Sequence, residues 1–134
     1  MISLNELMGW WKLVRAWHEF PEAPTRWPFG TSATGSLVFT SDQRMMLAII
    51  GAEQAALSCA IHSGRFALEG SEIITVSDTS SRHEWRHTEL RYFVSLAHGA
   101  LFLTSRQALS SWEGALYAGA PFVAAYTWVR QPEG

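Results

Sequence analysis

Most of this chain consists of short runs of alternating apolar and polar residues, separated by turn signals. Residues 65–68 and 72–77 are a clear example, because they flank the turn residues Glu69, Gly70 and Ser71. Since side chains alternate between the two faces of a strand, each run predicts a β-strand with one buried face. About eight such strands with short connections and no long amphipathic helix are typical of an antiparallel barrel or sandwich. The same pattern excludes a parallel βαβ sheet.

The predicted strands cover residues 10–17, 35–40, 44–50, 65–68, 72–77, 84–96, 100–105 and 123–130. A capping box at residues 3–6 predicts a short helical turn before the first strand. Residues 18–34 contain three prolines, so they predict a long loop, and we interpret it as a lid over a cavity mouth. For residues 107–121 the composition fits a short helix and a loose strand pair equally well. At 134 residues we expect a single all-β domain, 1–134.

Composition narrows the functional classes. Charged residues make up only 16%, yet the chain holds seven Trp, seven Phe and three Tyr, more aromatic surface than a core of this size needs. We therefore expect some of it to line a cavity. With a net charge of −2 and no basic stripe, nucleic acid is a poor partner, and no apolar run is long enough to span a membrane. The sequence does not decide whether the protein forms a homodimer.

Cys59 is the only cysteine, so no intramolecular disulfide can form. The N-terminus also lacks the pattern of a secretory leader. Both features favour a reducing compartment, and we expect a cytoplasmic protein. No glycine-rich phosphate loop or nucleophile elbow is present in the sequence, and we expect no cofactor.

Six short motifs follow one another along the chain. The first is Leu-Met-Gly-Trp-Trp-Lys-Leu at residues 7–13, and the last is Tyr-Thr-Trp-Val-Arg at 126–130. The other four lie at residues 28–39, 42–45, 63–70 and 89–93. In this order they resemble the bacterial lipocalin-like domain family of the calycin barrels, although Gln43 and Glu89 differ from the residues usual in that family. The resemblance leaves residues 107–121 uncovered.

The resemblance implies a single antiparallel lipocalin-like (calycin) barrel of about eight strands, just wide enough for one small ligand. It places Trp11 at the barrel floor, where the guanidinium of Arg130 would stack on the indole. The alternative is that Trp11 is an ordinary core residue and Arg130 is solvated.

The segment 83–94, taken as a strand, has two mixed faces, and the residues alone leave open which face points inward. The resemblance points Glu89, Arg91 and Phe93 into the lumen, together with Arg15 and Trp17 of the first strand. We interpret the two arginines as anchors for an acidic head group. The alternatives are that Glu89 only neutralises an arginine, or that this face of the strand points to solvent. The predicted ligand-binding residues are Arg15, Trp17, Phe39, Met45, Leu47, Trp85, Arg91, Phe93, Tyr126 and Trp128.

The predicted function is binding of an apolar or amphiphilic small molecule, aromatic or polyketide-like, with an acidic head group. The alternative is a cofactor-independent cyclase or isomerase of natural-product biosynthesis, with His87 and Glu89 as general acid and base. A barrel that binds haem through one of its histidines is a third class of function.

Residues 83–87 also read His-Glu-x-x-His, the pattern of a zinc hydrolase when it lies on a helix. On a strand the two histidines would stand about 13 Å apart, too far to share a metal. We therefore predict no metal site.

Overall fold

The computed structural model describes residues 2–81, 85–106 and 121–131. These residues form one short helix and nine strands, and every strand pairing is antiparallel. The elements are α1 (Leu4–Leu7), β1 (Gly9–Phe20), β2 (Ala23–Arg26), β3 (Thr34–Phe39), β4 (Arg44–Ile50), β5 (Cys59–Glu69), β6 (Glu72–Ser80), β7 (Glu89–Ala97), β8 (Ala100–Ser105) and β9 (Val123–Arg130).

The first strand closes the sheet into a barrel. The strand order is β2-β1-β3-β4-β5-β6-β7-β8-β9, and β1 also pairs with β9. β1 is 12 residues long, so it pairs with β3 near its beginning and with β9 along most of its length. β1 and β3–β9 therefore form a closed eight-stranded barrel, and β2 is an extra strand on the end of β1. Closure leaves no open edge between these eight strands.

The two ends of the barrel differ in their connections. At the end that we call the lower end, short turns join the strands, at residues 40–43, 70–71 and 98–99. At the other end, the upper end, the fully described connections at residues 27–33 and 51–58 are longer. Among the described residues there is no helix of the length and apolarity that a membrane span requires.

The lower end is closed by α1 together with Trp11 and Arg130. The indole N–H of Trp11 donates to the carbonyl oxygen of Leu7 (2.9 Å), and the Arg130 guanidinium carbon lies 4.0 Å from the centre of the Trp11 ring system. Arg130 also donates to the carbonyl oxygens of Glu6 (2.7 Å) and Met8. The structure thus brings together the two residues predicted for the barrel floor.

Gly9 makes this close approach possible. Its φ is +108°, and a Cβ placed on it would lie 3.0 Å from Nη1 of Arg130. A side chain at this position would therefore be strained by its backbone and would crowd the guanidinium. The capping box of Ser3 and Glu6 is present as expected and starts the helix that Arg130 covers.

Apolar side chains fill the barrel in two clusters. The larger one includes Trp11, Leu37, Ile49, Leu101 and Trp128, all with at most 1% of their surface exposed. The smaller one lies at the upper end and contains Trp85, Leu90, Phe122 and Ala124, with Phe20, Tyr92 and Tyr126 packed against it.

Two predicted segments differ from the observed structure. The predicted strand 84–96 begins only at Glu89, because the backbone turns at His87, whose φ is +62°. The predicted loop 18–34 contains the end of β1 and all of β2, which form a hairpin. Pro24 is compatible with β2 because this is an edge strand and needs no donor on its outer side. Residues 107–120, for which two structures stayed open, lie outside the described residues.

The lower-end closure gives a first prediction. Replacing Arg130 with Met keeps the aliphatic stem but removes the charge and the donors, so we expect a loss of about 1–3 kcal/mol in the free energy of unfolding. Arg130→Lys should recover only part of it, since an ammonium cannot reproduce the planar guanidinium stack. Urea denaturation followed by tryptophan fluorescence measures both variants. An Arg130→Met midpoint equal to that of the wild type would contradict the assigned role.

Candidate functional site

A bulge in β1 decides which of its residues reach the lumen. Leu13 pairs with Trp128 and Arg15 with the residue before it, Thr127, so Val14 is an extra residue. One extra residue reverses the alternation of the strand beyond it. Leu13 is therefore buried inside before the bulge, and Ala16 is buried inside after it.

Arg15 and Trp17 consequently lie on the outer face of the barrel. Arg15 is exposed, and Trp17 packs against Trp27, with ring centres 5.8 Å apart. The prediction that they share the inner face with Trp11 was wrong, because it assumed a regular strand without the bulge.

The polar face of β7 also points outward. Leu90 is buried opposite the buried Thr75 of β6, which places Leu90 and Tyr92 on the inner face. Glu89 is exposed on the other face, and Phe93 is 49% exposed. The prediction that Glu89, Arg91 and Phe93 line the lumen was therefore wrong.

Arg91 takes part in a network of charges on the outer surface. Its guanidinium contacts the carboxylates of Glu89 (3.1 Å) and Glu72 (3.4 Å), and Glu72 also pairs with Arg106 (3.1 Å). The alternative interpretation of Glu89, that it neutralises an arginine, thus matches the observed contact, although this contact lies outside the barrel. The network connects β6, β7 and the end of β8.

His87 does not reach the lumen either. It is exposed in a turn, and its backbone N–H donates to the carbonyl oxygen of Ser77 (2.6 Å). The prediction that His87 and Glu89 act together inside the barrel was wrong, because the turn holds His87 outside and Glu89 lies on the outer face of β7. Trp85 has a 3₁₀ conformation, and Arg86 forms an isolated bridge with Ser77. The remaining residues of the zinc pattern, 83 and 84, lie outside the described residues.

The lumen encloses a small cavity with mostly apolar walls. The space open to the centre of a water molecule is about 30 Å³, room for about two waters. Four predicted ligand-binding residues line it: Phe39, Met45, Leu47 and Tyr126. The other lining residues are Leu37, His62, Ile73, Thr75, Ser77, Leu90, Tyr92 and Leu103.

Two further predicted residues lie close to these walls. Trp128 is fully buried, and its ring stacks on Tyr126 with centres 6.2 Å apart. Its indole nitrogen is the only buried side-chain nitrogen or oxygen without a hydrogen-bond partner among residues 2–81, 85–106 and 121–131. Trp85 is 6% exposed, and its ring stacks on His62 with centres 5.3 Å apart.

Three polar lining residues lie on the neighbouring strands β5 and β6, apart from Tyr92 of β7 and Tyr126 of β9. We call His62, Thr75 and Ser77 the polar corner. Thr75 and Ser77 are 5% and 3% exposed, and the Thr75 hydroxyl lies 3.4 Å from the carbonyl oxygen of Leu90. Nδ1 of His62 lies 2.7 Å from Oγ of Ser80, so a hydrogen bond and the Trp85 stack together orient the imidazole.

A second bulge builds this corner. The register between β5 and β6 shifts at Gly64, so Asp78 is an extra residue and Ser80 comes to lie opposite His62. A Cβ on Gly64 would lie 2.0 Å from the carbonyl oxygen of Val76, which is too close for any other residue. The glycine is thus required by the close approach of the two backbones.

The predicted site residues did not include the polar corner or Tyr92. Residues 59–64 were not predicted as a strand, so the inward direction of His62 was not considered. β5 buries Ala60, Gly64 and Phe66 in alternation. The apolar Ile61 interrupts that alternation in the sequence, which therefore gives no clear signal for this part of the strand.

The proline-rich segment contributes an apolar side chain to the barrel. Phe29 is 1% exposed and belongs to the larger core cluster. The carbonyl oxygens of Pro28 and Phe29 accept hydrogen bonds from the backbone N–H groups of Leu57 and Ala52, both at 2.8 Å. The loops at 27–30 and 51–57 therefore hold each other over the upper end. A lid function for this segment stays a prediction.

Comparisons with known proteins give a structural likeness only. No protein-family model matches the chain, and none of the curated proteins matches it. A solved structure of a mutant of the fluorescent protein UnaG is similar, with a TM-score of 0.48 and 16% identity. The alignment covers 98% of this chain and 100% of that one. The barrel assignment here rests on the strand pairing, and the resemblance to the bacterial lipocalin-like family stays a prediction.

His18 gives a prediction about pH. It is 1% exposed and stacks on Phe122 with ring centres 4.2 Å apart, and its burial lowers its pKa from 6.5 to about 4. As the pH falls below 6.5, the unfolded chain takes up this proton first, so the folded state loses stability. We expect a loss of up to about 1.4 kcal/mol per pH unit, about 3 kcal/mol in total, as the pH approaches 4.

The variant His18→Gln lacks this titration. Its free energy of unfolding should approach that of the wild type as the pH is lowered from 7 to 4.5, measured by urea denaturation at each pH. His98→Gln, which removes an exposed histidine, is the control. A constant difference between the wild type and His18→Gln across this range would refute the prediction.

Proposed function

We propose that the barrel binds an apolar or amphiphilic small molecule, aromatic or polyketide-like, in its lumen. The observation that carries the proposal is a cavity with mostly apolar walls and a few polar groups. Seven of the twelve lining residues are Leu, Ile, Met or Phe. Ligand sites have this composition, because apolar contacts supply affinity and a few polar groups orient the molecule.

The size of the cavity limits how the ligand is bound. About 30 Å³ holds water but not an aromatic ring, so binding requires side chains to move. Met45 lies in the wall, and its unbranched side chain adapts easily to a new shape. We therefore expect the lumen to open around its ligand, with an apolar molecule of one ring as the smallest test case.

An acidic head group finds no anchor in the described part of the lumen. Arg15 and Arg91, which we expected to bind it, lie on the outer face. No Lys, Arg, Asp or Glu is among the lining residues that the structure describes. Burying an unpaired carboxylate costs several kcal/mol or more, so this lumen favours ligands without a fixed charge.

Catalysis in the same lumen is a second candidate function. It is favoured by His62, because an imidazole can accept or donate a proton near neutral pH. A cofactor-independent cyclase or isomerase needs one such group and a cavity that folds the substrate. Native mass spectrometry can identify a molecule that co-purifies with the protein. Conversion of this molecule or a close analogue by the wild type but not by His62→Gln would indicate an enzyme, and unchanged bound molecule would indicate a binding protein.

Two substitutions on β4 test where binding takes place. Leu47 faces the lumen, and its neighbour Met46 is 44% exposed on the outer face. We expect Leu47→Trp to fill the cavity and to weaken toluene binding at least tenfold, whereas Met46→Trp should bind within twofold of the wild type. Ligand-observed NMR measures binding, and near-UV circular dichroism checks that both variants are folded. Equal binding by both variants would place the site elsewhere, and no toluene binding by the wild type would oppose the proposal itself.

A further inference from the structure

We infer that the polar corner selects ligands that carry a neutral hydroxyl group on an aromatic ring, and that His62 is the residue that determines this specificity. The inference rests on the proposed function, since it assigns a head group to the molecule that the lumen would bind. It differs from the sequence prediction, which expected an acidic group held by arginines.

The position of the corner supports a head-group site. The walls contributed by β3, β4 and β8 are apolar, and β7 and β9 each add one tyrosine, whereas β5 and β6 together contribute an imidazole and two hydroxyls. Burying polar groups is unfavourable unless each one is hydrogen-bonded. A cluster of them on one wall of an apolar cavity therefore gives a ligand a single preferred orientation, with its polar end towards β5 and β6.

The orientation of His62 supports its role. Ser80 lies 2.7 Å from Nδ1, and Trp85 stacks on the ring at an interplanar angle of 29°. A ring held in this way loses little further freedom when a ligand binds, which favours affinity. The bulge at Asp78 brings Ser80 opposite His62, so the feature that orients the imidazole is part of the sheet itself.

The aromatic side chains around the cavity favour an aromatic ligand. Phe39, Tyr92 and Tyr126 line the cavity together with His62. The ring of Phe39 is held edge-on by Phe66, with centres 4.9 Å apart. An aromatic ring in this lumen would contact these rings and present a substituent to the imidazole.

The charge of the lumen decides between a hydroxyl and a carboxylate. The described lining residues include no Lys or Arg to pair with a carboxylate, so His62 would have to take up a proton to hold one, whereas a neutral hydroxyl needs no cation. A hydroxyl both donates and accepts, so it can bond to the imidazole and to the Thr75 or Ser77 hydroxyl in either direction. A phenol-like group is therefore the best match to the corner.

Three matched probes test the inference: toluene, p-cresol and p-toluate, each titrated at pH 7.5 by ligand-observed NMR. We expect p-cresol to bind the wild type at least tenfold more tightly than p-toluate does. His62→Phe should weaken p-cresol at least fivefold and leave toluene within twofold. Ser80→Ala, which releases the imidazole, should weaken p-cresol by a smaller factor and leave toluene unchanged. Ile61→Phe, on the outer face of the same strand, is the control and should change neither.

The binding results distinguish a failure of the inference about His62 from a failure of the proposed function. If toluene binds and His62→Phe leaves p-cresol unchanged, the inference fails while the proposed function stands. If p-toluate binds the wild type as tightly as p-cresol, the assignment of a neutral head group is overturned. If none of the three probes binds the wild type, the proposed function fails. If His62→Phe does not fold, His62→Gln replaces it, and the same loss of p-cresol binding is required.

Discussion

The closure of the sheet by β1 is the constraint on which the rest of the structure depends. This strand pairs with β3 at its beginning and with β9 from Trp11 to Glu19, so both of its edges are used. A sheet closed in this way has an inside, and side chains that alternate along each strand fill it or line a cavity. The stack of Arg130 on Trp11 then closes one end of that interior.

Two single-residue bulges determine what the interior contains. Val14 reverses the alternation of β1, so Arg15 and Trp17 leave the lumen. Asp78 reverses that of β6, so Ser80 faces inward against His62. Each bulge changes the inner face of a whole half-strand, because side chains have a period of two. The chemical character of the lumen is therefore set less by composition than by where the pairing slips.

The two bulges explain why the sequence predicted some of the cavity-lining residues and not others. The bounds of β4, β8 and β9 followed from alternation and turn residues, and Phe39, Met45 and Leu47 line the cavity where regular strands placed them. Bulges leave no clear mark in one sequence, so the outward direction of Arg15 was not foreseen. The faces of β7 were misassigned because its residues do not decide which face is inward and the resemblance selected the face of Glu89, whereas Leu90 and Tyr92 line the lumen.

The barrel divides stability and recognition between its ends. At the lower end short turns, α1 and the Trp11 contacts tie the strands together, with little room for movement. Polar groups in a core lower stability unless they are satisfied, and they collect instead towards the upper end, where the connections are longer. A small cavity opens at the lowest cost in free energy beside the longer connections 27–33 and 51–58, because tight turns hold the strands at the other end. A ligand that enlarges the lumen should therefore displace side chains near His62 before it disturbs those near Trp11.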